Sequence, residues 1–369
     1  MSTLRLRTAL QGYVRDTYLG NVPALNQSFA PINCSIGSSQ WGVSKRAKEI
    51  TISAEQNVVY PELFYDRLLK PAILERFGVA ELTNDLLFFG HGSFNLAERL
   101  IHKFIAPDIM LGVGPQFNEI PSEFVAAGGT YVPIGIRPPH YAFPLAELLD
   151  SVRSSVSIVY IDNPNNPLGR MISAADMGKI AGKSVEHGVI VIVDEAYGDF
   201  VLDAESAAHL VLRYDNLVVL RSFSKCLGLA AARVGYMFMS RALAERYRPI
   251  DVPFEPALPS AMLAKATLDD RTFIERVRER SAATKSRLTP ELIACGMSIL
   301  PTHPATSILT LHHAERNVVE MMSEIGVSVE PGSAFRGTHS GWDDSYCRLR
   351  LPRESDVDEF VRRLKLFKT

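Results

Sequence analysis

Val189-Ile-Val-Ile-Val-Asp-Glu-Ala-Tyr197 is the segment from which the architecture of this chain follows. Its first five residues are all β-branched and aliphatic, with no polar face. That pattern belongs to a strand covered on both sides, as in a parallel sheet flanked by helices. The run stops at Asp194, where a buried carboxylate is costly unless something cationic meets it. Ligands of open α/β sheets sit beyond the carboxyl ends of the strands. Asp194 therefore stands where a ligand is expected.

Short apolar runs recur at 85–89, 109–113, 130–134, 158–161 and 217–220. Between them, residues 93–104 and 173–187 are amphipathic and long enough for crossover helices. This alternation predicts an α/β fold with a mostly parallel, doubly wound sheet. The last third differs: 270–287 is a long charged helical stretch. Strand patterns at 306–311, 327–330 and 346–351 and a closing helix near 356–367 follow it. A smaller α+β unit is expected there. The chain thus divides into an N-terminal segment (1–44) packing with the small domain, a large domain (45–268) and a small C-terminal domain (269–369).

A length of 369 residues also favours two domains. Hydrophobic residues at 47% and charged residues at 22% fit a soluble globular protein, and a net charge of -2 gives no global attraction to nucleic acid or an anionic membrane. No apolar run approaches the roughly 20 residues that span a bilayer, and Arg5 and Arg7 precede no secretory-type apolar region. The expectation is a cytoplasmic protein with no nucleic-acid or membrane partner. The four cysteines lack CxxC spacing and read as buried or free thiols. No histidine pattern suits a metal, and the dinucleotide GxGxxG is absent.

Polar clusters follow four of the strands: Gly90-His91-Gly92-Ser93, Asn163-Pro-Asn-Asn-Pro-Leu-Gly169, Asp194-Glu-Ala-Tyr197 and Ser222-Phe-Ser-Lys225. The second resembles the NPNNPTG motif of fold type I pyridoxal-phosphate enzymes. Residues 193–200 (VDEAYGDF) resemble their DEAYxxF segment, and 221–236 (RSFSKCLGLAAARVGY) is similar to their lysine motif. These three motifs, with a late strand arginine at Arg348 as a fourth feature, occur in family order over nearly the whole chain. Among subgroups, the chain looks most like histidinol-phosphate aminotransferases.

The resemblance implies a role for each matching residue. Lys225 holds pyridoxal phosphate as an internal aldimine and then carries protons as the general base. Asp194 faces the pyridine nitrogen and stabilises the quinonoid; near 3 Å, at an effective dielectric of about 20, that contact is worth on the order of 5 kcal/mol before desolvation. Asn166 and Tyr197 serve the phenolic oxygen, and Phe117 stacks on the ring. Gly92, Ser93, Phe94, Ser222, Ser224 and Arg233 surround the cofactor, the serines and Arg233 on its phosphate. Arg348 takes the substrate carboxylate. Tyr60, in Val-Val-Tyr-Pro-Glu, matches a tyrosine that reaches the neighbouring subunit's phosphate, which implies a homodimer with a shared active site. Glu195 reads as structural.

The implied activity is amino transfer between an amino acid and a 2-oxo acid or related carbonyl. Decarboxylation or other Cα chemistry on the same fold is the alternative, and a non-catalytic regulator would have lost the lysine, the Asp or the phosphate donors. Several positions depart from the subgroup: Phe94-Asn95 for Asp-Glu, Leu168 for Thr, Ile120 for an aromatic, and a divergent 34–42 loop. They count against histidinol phosphate itself. Arg350, on the same strand face as Arg348, is expected to pair with an acidic neighbour. His91 is a candidate to face the cofactor, and His312-His313 reads as structural or exposed.

Overall fold

The computed structural model describes residues 7–15, 17, 24–35, 37–51, 53 and 64–367. In chain order its strands are β1 (Ile32–Asn33), β2 (Leu87–Gly90), β3 (Ile109–Gly114), β4 (Thr130–Gly135), β5 (Val156–Asp162), β6 (Ile190–Glu195) and β7 (Leu217–Ser222). They continue with β8 (Gly235–Met239), β9 (Ser298–Ile299), β10 (Ile308–His312), β11 (Val327–Ser328), β12 (Glu330–Pro331) and β13 (Tyr346–Arg350).

Seven strands form the large sheet in the order β2-β8-β7-β6-β5-β3-β4. Neighbouring pairs are parallel except those involving β8, which runs antiparallel to both β2 and β7. The sheet is α/β and mostly parallel, as the apolar runs implied. All six runs are strands, displaced by a residue or two at their ends; β8 is the addition. Its Gly-Tyr-Met-Phe-Met sequence is buried throughout and follows directly on the lysine segment.

Two-residue alternation sorts the strands' side chains into two cores. Val191, Val193, Leu217 and Val219 pack on one face of the sheet, and Ile192, Val218 and Leu220 on the other. Each such side chain, wholly buried, contributes about 1.5–3 kcal/mol. With both faces consumed by packing, the polar residues collect at the strand ends.

The expected helix at 173–187 is Ala174–Val185, started by the Ser173 side chain accepting from Asp176 N at 3.1 Å. The charged stretch after 270 is a helix over Arg271–Ile293. A second sheet, β12-β13-β10-β9, holds a third core around Leu309, Leu311, Cys347 and Leu349. Packing of Cys347 and Leu349 there turns Arg348 and Arg350 to the opposite face. β1 joins this region by parallel pairing with β11.

Hydrogen bonds tie this sheet to the 163–169 loop. Thr310 Oγ1 donates to Pro167 O at 3.1 Å, and His303 N donates to Gly169 O at 2.9 Å. Lys285, buried on the long helix, points Nζ at Thr302 Oγ1, His303 O, Thr306 Oγ1 and Ile308 O at 2.7–3.0 Å. The four cysteines are free and buried. Among the described residues no helix is long and apolar enough to cross a membrane, and no group of His, Cys, Asp or Glu has a metal-binding arrangement.

Candidate active site

Beyond the carboxyl ends of β5, β6 and β7 lies a cleft of about 840 Å³. Apart from Gly92 and Tyr60, every site residue expected from the sequence lines it. Gly92 abuts it through Arg233, and Tyr60 lies outside the described residues.

Asp194 and Asp162 stand side by side, being register partners at the ends of β6 and β5. Asp194 is 5% exposed. Its Oδ1 accepts from Ala196 N at 2.9 Å and its Oδ2 from Tyr160 OH at 3.3 Å. Burial pushes its pKa up to about 6 against the pull of those bonds and of Lys225. A cation beside it would reverse that shift. Asp162 organises the loops: its Oδ2 accepts from Asn166 N at 2.9 Å and Phe117 N at 3.2 Å.

Lys225 follows β7 in a tight turn, with Nζ 5.5 Å from the centroid of the Tyr197 ring. Burial and the nearby Arg348 lower its pKa to about 8. The 34–42 loop closes over this pair at Gly37, where a Cβ would stand 2.8 Å from Lys225 Nζ and 3.1 Å from Tyr197 OH. Tyr197 is 3% exposed, and among the described residues its hydroxyl has no hydrogen-bond partner. A buried orphan hydroxyl beside the lysine calls for an oxygen acceptor or donor from a ligand.

A second group of donors surrounds the start of helix Ser93–Arg99, which continues as a π-helical turn to Phe104. Gly92 takes φ +90°, and a Cβ there would lie 2.5 Å from Arg233 Nη2. Arg233 Nη2 donates to His91 O at 3.0 Å, and Nη1 reaches Ala230 O at 2.9 Å and Ser224 Oγ at 3.4 Å. Ser222 Oγ donates to Ser224 Oγ at 2.8 Å. Two hydroxyls, a guanidinium and open helix amides together suit a phosphate dianion.

Arg348 is 3% exposed. Its Nη1 donates to Asn166 Oδ1 at 3.0 Å, and its Nη2 to Ser35 O at 2.5 Å, with Glu330 Oε2 at 3.3 Å. Beneath the site, buried Arg221 bridges Glu195 and Asp199, each at 2.7 Å, so Glu195 belongs to an internal ion network.

Three details differ from expectation. Arg350 donates to the carbonyls of Asn33 and Leu351, and among the described residues it has no acidic partner. The His91 ring faces Glu255, 3.3 Å away, and does not line the cleft. Leu168 and Ile120 are fully buried in the cores, so their departures do not reshape the cleft lining. His312 stacks on Tyr346, as a structural histidine would. The sequence reading passed over Asp162, Gly37 and Glu330, and also Arg15 and Thr17, which bind Glu119 and Glu123 at the cleft edge. Asp162 was signalled, since it ends its strand as Asp194 does; Arg15 and Glu119 meet only through tertiary packing.

The sheet order, the strand-end carboxylate, the turn lysine and the phosphate cradle define a fold type I pyridoxal-phosphate enzyme. Residues 37–364 match the model of the aminotransferase class I and II family, and the chain belongs to that family. It is a pyridoxal-phosphate-dependent aminotransferase that moves an amino group between an amino acid and a 2-oxo acid or related carbonyl. The chain is 28% identical over 308 residues to histidinol-phosphate aminotransferase of Halalkalibacterium halodurans, covering 82% of each. It is 29% identical over 331 residues to histidinol-phosphate aminotransferase 2 of Carboxydothermus hydrogenoformans, covering 88% of each. The fold superposes on histidinol-phosphate aminotransferase from Sinorhizobium meliloti, solved with pyridoxal-5'-phosphate, with a TM-score of 0.77 at 18% identity over 100% of this chain and 98% of that one. These curated relatives are named as aminotransferases, so the decarboxylase alternative is not favoured.

Proposed function

We propose that the amino donor is an α-amino acid whose carboxylate is taken by Arg348, with Lys225 as the proton carrier. The observation that carries it is the cleft itself, where Lys225, Tyr197, Asp194 and Arg348 line one cavity. Bound there, pyridoxal phosphate supplies the electron sink for Cα chemistry. The residues fit it: Asp194 compensates the pyridine nitrogen, and the orphan Tyr197 hydroxyl with Asn166 meets the phenolic oxygen. Phe117 covers the ring beside Phe94. Gly92, Ser93, Ser222, Ser224 and Arg233 hold the phosphate.

Lys225 is a neutral base above about pH 8. With the cofactor bound it would take the proton from the substrate Cα and deliver it to the cofactor's C4′, as net amino transfer requires. Gly37 keeps the loop low over this step and excludes water. The curated relatives named for histidinol phosphate keep that amine as the second reading, its phosphate going to the same arginine.

A screen of amino acids and histidinol phosphate as donors, followed by conversion of the bound cofactor to its pyridoxamine form, separates the two. Arg348→Ala should raise KM for the preferred amino acid by roughly 10²-fold, the loss of a charge-assisted bidentate contact. An unchanged KM would move the carboxylate site elsewhere.

We further read the enzyme as a cytoplasmic homodimer in which Tyr60 completes the partner's phosphate site. The matching Tyr-Pro segment supports it. The division at 45–268 and 269–369, with 1–44 joining the small part, is supported by the separate sheets; the larger core nevertheless also takes in Trp41, Phe273, Ile308 and Trp342.

A further inference from the structure

Glu330 on β12 stands directly across from Arg348 on β13, so both side chains leave the same face of the small sheet. The Glu330 side chain is 4% exposed, with Oε2 3.3 Å from Arg348 Nη2. Among the described residues its Oε1 has no hydrogen-bond donor. A buried carboxylate with one oxygen unserved is costly, and nothing in amino transfer as derived above uses it. Its position gives it a use. A guanidinium that already holds an internal carboxylate receives the substrate's carboxylate only by bringing two anions to one cation, away from water. A proton on Glu330 removes the conflict.

We propose that Glu330 is a positioning residue that balances Arg348 in the substrate-free enzyme and takes up one proton when the substrate carboxylate arrives. The inference rests on the reading of Arg348 as the carboxylate binder. The proton comes from solvent and returns there when the product carboxylate leaves; only a carboxyl O–H bond forms and breaks.

Burial, opposed by Arg348, already holds Glu330 at about 7, so an added anion carries its titration across the neutral range. Among the described residues, the ionisable groups that act on it include Arg348 from β13 and Tyr197 from the turn after β6. Burial raises Tyr197, leaving it neutral near pH 7, and the arginine stays charged. Lys225, which also feels Arg348, titrates near 8 and is controlled for by comparing variants.

The test is competitive inhibition of the holoenzyme by propionate, a carboxylate with no amine of its own, between pH 6 and 8. Wild-type Ki should rise with pH by up to about tenfold per unit, the limit for one linked proton. In Glu330→Gln the slope should flatten, with Ki at pH 8 near the wild-type value at pH 6, and KM for the amino donor should move more than kcat. An equal slope in wild type and Glu330→Gln overturns the proposal. Arg348→Lys should raise Ki at every pH; no change there overturns the carboxylate reading and, separately, this proposal with it. If Glu330→Gln does not fold, carboxyl protonation in wild type on binding propionate near pH 7, read as a gained carboxylic-acid band in the infrared difference spectrum that a lysine cannot give, decides. A gained band supports the linkage, and its absence overturns it.

Discussion

Asp194 is uncomfortable without a cation. Buried at a strand end, it titrates near 6 in place of the usual 3.8. A carboxyl raised in the fold loses stability for the protein as pH climbs from its ordinary value through the raised one. A cationic pyridine nitrogen removes that cost. The melting-temperature gap between cofactor-bound and cofactor-free protein should therefore widen between about pH 4 and 6 and level off above, as thermal melts will show. Asp194→Ala should abolish this widening and lower kcat by at least about 10², the scale of a lost electrostatic stabiliser. A gap that is flat with pH in the wild type would place the cation elsewhere.

At the scale of elements, the site is held by a few connections between the long helix, the small sheet and the 163–169 loop. Lys285 is the densest of these, its Nζ within 2.7–3.0 Å of two hydroxyls and two carbonyls that share its N–H donors. Lys285→Met would leave those acceptors buried without their donor, at about 3 kcal/mol. A drop of several degrees in Tm should follow, with KM for the donor rising because Arg348 rides on the same sheet. Unaltered Tm would mean that water replaces the ammonium. The elements were largely legible in advance because fully buried strands such as 189–193 and 217–220 announce themselves by unbroken apolar runs. β8 was not, since its Gly-Tyr-Met-Phe-Met run begins in the last two residues of the lysine segment, with no turn signal between them. Lys225, Asp194, Asn166 and Arg233 stand out through the motifs that carry the family resemblance, and the fold brings all four to one cleft. Residues that act through distant contacts were not readable: Glu330 reaches Arg348 only because β12 and β13 pair in one register. The acidic partner expected for Arg350 failed for the same reason, because the carbonyls of Asn33 and Leu351 arrive first.

On the scale of the whole molecule, the proposed shared site makes a distinct demand. If Tyr60 serves the partner's phosphate, Lys225→Ala and Tyr60→Ala homodimers each fail, but a hybrid carries one intact site. Unfolding and refolding an equal mixture should restore about a quarter of wild-type activity, since half of the dimers are hybrids with one good site each. No recovery, with hybrids demonstrated by tag pull-down, would confine Tyr60 to its own subunit. All of this depends on the cofactor being carried where the strand ends converge. Borohydride reduction of the holoenzyme followed by peptide mapping reads that directly. The pyridoxyl mass should fall on Lys225 and vanish in Lys225→Ala; a label on another lysine, or one retained in the variant, would contradict the account.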